Sequence, residues 1–173
     1  MTHLETERLR LERWAPEHEA LYARLAADPA VMRYVGAGVP HDAAYAAERH
    51  AAVLAHWAEH GFGWRAAFDR ATGAGVGLIA LNVAEAEELI PGEHEIGWWL
   101  DPAVWGRGLA VEGGRAIVAE AFDRVGAPHV VARVQPANAA SLGVAAALGL
   151  VREGSGVDRF GNPVAILRRR RPR

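Results

Sequence analysis

The sequence predicts an α/β (α+β) fold built on a mixed, largely antiparallel sheet, and three stretches predict it. The run His-Glu-Ile-Gly-Trp-Trp-Leu at 94–100 is aromatic and β-branched enough for a strand, and Asp101-Pro102 stops it. A glycine-rich bend follows, then apolar positions at Ala110, Gly114, Ile117 and Ala121 recur at helical spacing. The β-branched run at 129–134 comes next, so this helix crosses between two parallel strands. Residues 62–69 and 76–83, joined by Arg70-Ala-Thr-Gly73, read as an antiparallel hairpin. Residues 151–157 and 162–167, around Asp158-Arg-Phe-Gly161, read as another.

The remaining elements follow in chain order. Residues 8–14 alternate charged and apolar side chains, the period of a half-buried strand, with Leu9 and Leu11 inward. Pro16 suits a helix start, and Leu21 and Leu25 carry that helix to Asp28-Pro29, where it breaks. A second short helix is expected over 31–35. Asp42 can cap a longer one running to about His60, with Gly61 past its end and Trp57 turned to the core. Residues 85–92 form an acidic loop. Arg124, Gly126 and Pro128 close the central helix. Gln135-Pro136 ends the parallel strand, and 139–148 is alanine-rich enough for a helix, with Asn138 or Ser141 near its start.

Composition narrows the function classes. The 173 residues read as one domain, 51% hydrophobic and 23% charged, with a formal charge of -2 that gives no reason to expect nucleic acid. There is no cysteine, which excludes disulfides, thiolate metal sites and a cysteine nucleophile. No apolar run reaches the roughly 18 residues of a membrane span, and Glu5 and Glu7 are out of place in a signal peptide, so a cytoplasmic location is expected. The arginine run at 168–171 and the rest of 168–173 read as a basic C-terminal tail, solvated or holding an acidic partner. Exposed strand edges are compatible with a homodimer.

The bend Trp105-Gly-Arg-Gly-Leu-Ala110 carries the chemistry. At a helix start several backbone N–H groups lack intrahelical partners, and the peptide dipoles place roughly half a positive charge there. Gly106 and Gly108 let a phosphate approach the main chain, and Arg107 can add a permanent charge, so a pyrophosphate fits. The chain has no lysine, which removes a Walker-type loop, and Val111 stands where a dinucleotide fingerprint needs its third glycine.

This bend resembles the pyrophosphate loop of the GNAT superfamily of acetyl-CoA-dependent N-acetyltransferases, written Gln/Arg-x-x-Gly-x-Gly/Ala, with Trp105 departing from its first place. Asn138-Ala-Ala-Ser141 followed by Ala147-Leu-Gly-Leu-Val-Arg-Glu-Gly154 is similar to a later signature of the same family. The opening Leu4-Glu-Thr-Glu-Arg-Leu-Arg-Leu-Glu-Arg-Trp14 resembles the start of its ribosomal-protein-alanine acetyltransferase branch. Gly143 and Ala147 occupy places often basic in that branch, and Leu150 replaces a phenylalanine.

The resemblance implies a twisted sheet of about six to seven strands with helices on both faces and a V-shaped splay between the two parallel strands. It implies acetyl-CoA in that splay, held by Trp98, Trp99 and Leu100, by 105–110 (Leu109 and Ala110 included), and by Asn138 and Ser141. The acceptor is a primary amine, of a protein N-terminus or a small molecule, entering beside the early helices, and no metal is required. Glu95 is the candidate base, with Glu153 and Glu112 as alternatives, and its other reading is a strand glutamate paired to an arginine. Ser141 is the candidate proton donor to the CoA thiolate, or else a helix cap. A non-catalytic acyl-CoA sensor and a nucleotide-binding module are the readings from other classes.

Two patterns compete with that reading. His56-Trp-Ala-Glu59-His60 spells an inverted zincin motif, against which stands a surface helix end whose histidines favour the negative pole of the dipole. Trp14, Trp64, Trp98 and Trp99 are candidates for a substrate pocket or for the core.

Overall fold

A computed structural model of the chain describes residues 3–172. One sheet of eight strands runs through it: β1 (His3–Glu5), β2 (Leu9–Arg13), β3 (Arg65–Asp69), β4 (Gly75–Val83), β5 (His94–Leu100), β6 (His129–Val134), β7 (Val151–Val157) and β8 (Pro163–Arg170). Their order across the sheet is β1-β2-β3-β4-β5-β6-β8-β7, and every neighbouring pair is antiparallel except β5 and β6. The sheet thus exceeds the expected strand count. The extra strand is β1, too short to show an alternation, and Thr6 turns it back onto β2 through a Thr6 N–H to Leu9 O bond of 2.9 Å.

Helices cover both faces. Helix α1 (Glu19–Ala26) and α3 (Ala43–His60) lie on one, α4 (Leu109–Glu120) and α5 (Ala139–Ala147) on the other. Strand β4 shows why the sheet supports two cores: Leu78 and Ala80 join the cluster of Trp14, Tyr22 and Trp57, while Ile79 and Leu81 join that of Leu9, Ile117 and Val130. Successive side chains point to opposite faces, so a run of apolar residues serves both.

Local chemistry explains most boundaries. Asp42 caps α3 through Tyr45 N–H at 2.8 Å, and Gly61 ends it in the left-handed region at φ 71°. The short helix α2 is Pro29–Met32 rather than 31–35, because Asp28 Oδ1 accepts from Ala30 N–H at 2.8 Å and Pro29 opens the turn. Residues 62–64 precede β3 rather than belonging to it, since the Trp64 carbonyl accepts from both Trp14 N–H and the Trp57 indole. After α4 the chain widens into a π-turn, Ala121–Val125, before Gly126 closes it.

The basic tail is corrected by the structure. Arg168 to Arg170 are the last residues of β8, and each has a partner: Glu93 for Arg168, the Leu148 carbonyl for Arg169, Glu153 for Arg170. The zincin pattern also finds another use. Val83 N–H donates to His56 Nε2 at 3.1 Å, so that nitrogen is unprotonated and Nδ1–H donates to Phe62 O at 2.9 Å. Both ring nitrogens are spent, Nε2 tying α3 to β4 and Nδ1 tying it to the segment that precedes β3, and burial holds the His56 pKa below its usual value. Among the described residues no cluster of three or more His, Asp or Glu could hold a metal ion. Among the described residues no helix is long and apolar enough to cross a membrane.

Candidate active site

The bend after β5 is built from the strand end outward. Asp101 Oδ1 accepts from Ala103 N–H at 2.9 Å and starts a 3-10 turn, Pro102–Val104, while Arg24 from α1 pairs with the same carboxylate. The Trp105 indole N–H donates to Leu100 O at 2.7 Å and ties the bend to the strand it leaves. Gly106 and Gly108 then adopt φ 73° and 76°, a left-handed conformation that a side chain would strain. The first helix N–H to find a partner is that of Glu112, which donates to Gly108 O at 3.0 Å. The six N–H groups of 106–111 donate to nothing among the described residues, so they form a continuous row of free donors at the positive end of α4.

That row opens into a cleft between the parallel strands. Pairing of β5 with β6 consists of His94 with Val130 and Glu95 with Val131, and there it stops. Beyond that seam β5 continues only with β4, and β6 only with β8, so the sheet divides. A cleft of about 560 Å³ occupies the division and reaches from Gly106 and Gly108, past Trp98 and Ser141, to Tyr34 beside α2. The expected splay and the expected border of early helices are both present.

The predicted site residues separate into two groups. Trp98, Trp99, Leu100, Trp105, Gly106, Gly108, Leu109, Ala110, Asn138 and Ser141 all line the cleft. Leu109 does so while its side chain is buried among Ile79 and Ile117, leaving backbone as its contribution. Trp98 and Trp99 face opposite ways: the Trp98 indole donates to Ser141 Oγ at 3.3 Å, whereas Trp99 stacks on Tyr22 at 5.8 Å. Asn138 is the cap of α5, accepting from Ser141 N–H at 3.2 Å. The Ser141 hydroxyl therefore makes no cap, and with its oxygen engaged by Trp98 its hydrogen is free to donate.

The second group lies off the cleft wall. The Arg107 side chain is 52% exposed and sits 4.0 Å from Asp69, so its charge is directed outward. Glu95 Oε1 accepts from Arg133 Nε at 2.8 Å and Oε2 from Arg133 Nη2 at 3.3 Å, which supplies the arginine of its alternative reading. Glu112 is bound by Thr6 and Arg8: burial alone would raise its pKa, but those hydrogen bonds lower it. Glu153 pairs with Arg168 and Arg170 on the far edge of the sheet. Sequence reasoning missed Arg133, which lines the cleft and also pairs with Glu88 at 2.5 Å. Its signal was a lone charge inside the β-branched run 129–134.

Residues 8–151 match the family model for the acetyltransferase (GNAT) domain. The chain belongs to the GNAT acetyltransferase family. A curated relative, the FsC-acetyl coenzyme A-N(2)-transacetylase of Aspergillus fumigatus, is 30% identical over 165 residues, covering 92% of this chain and 69% of its own length. An acetyltransferase structure from Agrobacterium tumefaciens superposes with a TM-score of 0.81 at 27% identity, over 99% of this chain and 95% of its own. A RimL ribosomal L7/L12 alpha-N-protein acetyltransferase in complex with coenzyme A has the same fold, with a TM-score of 0.79 at 16% identity over 97% of both chains. This GNAT protein is an N-acetyltransferase, and its family implies acetyl-CoA as the acyl donor.

Proposed function

We propose that the protein moves an acetyl group from acetyl-CoA directly to a primary amine, with a protein N-terminus as the preferred acceptor. The observation that carries this reading is the run of free N–H groups over 106–111, whose residues other than Arg107 line the mouth of the split sheet. A diphosphate has oxygens to accept from them, and the cleft behind runs from Gly106 and Gly108 past Trp98 to Ser141, the course an extended chain would take. Bound there, acetyl-CoA supplies an activated acetyl group. The free edge of β5 beyond Glu95 offers main-chain partners to the pantetheine, though Leu100 O is already engaged by Trp105. A backbone N–H on that edge steadies the charge developing on the acyl oxygen.

The chain's own groups then handle protons. Ser141 holds its hydroxyl hydrogen for the departing sulfur. Glu95 receives the amine's proton through water, because Arg133 stands between its carboxylate and the cleft. Direct transfer is supported by the absence of any cysteine to carry the acyl group. An α-amino acceptor is supported by the cleft wall itself, where neither carboxylate nor histidine appears. An α-amine has a pKa of about 7.7–8.0 and is partly neutral at pH 7, whereas a lysine-like amine near 10.4 is almost wholly protonated. The RimL relative, which acts on a protein α-amine, favours the same choice.

Free thiol released from acetyl-CoA, followed across a panel of peptides with free or blocked N-termini, polyamines and aminoglycosides, tests the proposal. Turnover with free N-termini and none with blocked peptides carrying lysine is expected. Saturable CoA binding without turnover on any amine would leave a sensor instead. Replacing Ala110 by Pro removes one donor in the first helical turn, where proline is tolerated, and is expected to weaken CoA about tenfold.

A further inference from the structure

The opening motif that resembles the Rim branch lies outside the cleft, and its side chains converge on the back of the bend. Glu112 Oε1 accepts from Thr6 Oγ1 at 2.5 Å and from Arg8 N–H at 2.7 Å, and Oε2 accepts from Arg8 Nε at 2.6 Å. Arg8 Nη1 reaches further and donates to Arg107 O at 2.8 Å. Arg70 fastens the same segment from behind, its Nη1 donating to Thr6 O at 2.6 Å and its N–H to Arg8 O at 2.9 Å. One guanidinium therefore holds both a carboxylate in the first turn of α4 and the carbonyl between the two left-handed glycines.

Both of those groups would oppose an anion if released. A carboxylate in the first turn of a helix is attracted to the same positive pole as a phosphate and competes for it. The Arg107–Gly108 peptide can turn over at little steric cost because Gly108 accepts either sign of φ, and turning over would put the Arg107 carbonyl where the Gly108 N–H should be. We infer that Arg8 is a positioning residue for the diphosphate seat: it neutralises Glu112 and keeps the Arg107 carbonyl facing outward, so that the row of N–H groups stays available. The inference rests on the proposed reading of that row as the pyrophosphate site. It assigns to the opening motif a task in coenzyme binding, carried out without touching coenzyme.

The test compares the affinities of CoA and of pantetheine, which has no phosphate, for the parent, Arg8→Gln, Glu112→Gln, the double variant and Arg8→Lys, with thermal unfolding of each. Arg8→Gln is expected to weaken CoA about tenfold and leave pantetheine unchanged, and adding Glu112→Gln to recover at least a third of the loss on a logarithmic scale. Arg8→Lys keeps a charge opposite Glu112 without the fork that spans to Arg107 O, so an intermediate, phosphate-dependent loss is expected. Should Arg8→Gln fail to fold, Arg8→Lys and Glu112→Gln carry the test, and parent-like CoA affinity in Arg8→Lys overturns the inference. Equal losses for CoA and pantetheine, or none for CoA in a folded Arg8→Gln, overturn it as well. Ala110→Pro separates this from the underlying reading: if Ala110→Pro weakens CoA and Arg8→Gln does not, Arg8 alone has been misassigned. If neither does, the diphosphate lies elsewhere.

Discussion

Replacing Ser141 by Ala should lower kcat by only about tenfold, and the reason lies in the leaving group. A thiol is far more acidic than an alcohol or an amine and departs as thiolate with limited help, so a general acid contributes at the low end of the usual range. Initial rates at saturating acetyl-CoA check it. The larger effect belongs to Glu95. If it takes the amine's proton, Glu95→Gln is slowest below the amine's pKa and approaches the parent rate above it, where the acceptor is already neutral. Rates at pH 6.5 and 9 decide: a deficit that ignores pH assigns Glu95 to holding Arg133 alone. The glycine bend was legible in the sequence because its donors, glycines and helix start are consecutive. The division of labour between Asn138 and Ser141 was not, since either oxygen is close enough to cap α5 and only folding decides which one reaches the Ser141 N–H. The partner of Glu95, 38 residues away, was equally out of sight.

Among elements, α4 meets the sheet through a contact that no periodicity announces. Arg65 on β3 and Glu120 at the end of α4 are 1% and 3% exposed and make two hydrogen bonds, at 2.9 and 2.5 Å, with Arg124 adding a third at 2.9 Å. Glu120 keeps its charge because those cations outweigh burial, which alone would raise its pKa. Glu120→Ala is expected to cost about 3–5 kcal/mol by leaving the Arg65 guanidinium buried and unpaired, whereas Arg65→Met with Glu120→Leu together should cost little. Urea unfolding of the two variants checks the contrast. The helix itself could be read from its apolar spacing, as could α3 from Asp42 and Gly61. The anchor could not, because its halves stand 55 residues apart. The same blindness made the arginines of β8 look like a tail when the carboxylate that holds Arg168, Glu93, lies 75 residues upstream.

For the molecule as a whole, acid should lower its stability in two stages. Burial holds the pKa values of His56 and His94 below the usual 6.5, so the unfolded chain takes up protons first and stability falls as pH drops below that value. Glu93 accounts for the second stage. Its side chain is 2% exposed, Arg168 donates to it at 2.6 and 2.9 Å, His129 lies at 2.7 Å, and its pKa is lowered to about 2. A depressed carboxylate contributes stability above its unfolded value near 4.5 and loses it as pH falls from there toward 2, here on the order of 3 kcal/mol. Denaturation midpoints between pH 8 and 3 should show both declines, and Glu93→Gln should erase the lower one. Finally, the two-pair seam between β5 and β6 makes room for a ligand by leaving the two wings of the sheet barely stitched together. An empty molecule should therefore breathe along that line, with those amide protons of 96–100 that face away from β4 exchanging freely until a coenzyme wedged between the wings acts as the missing thread.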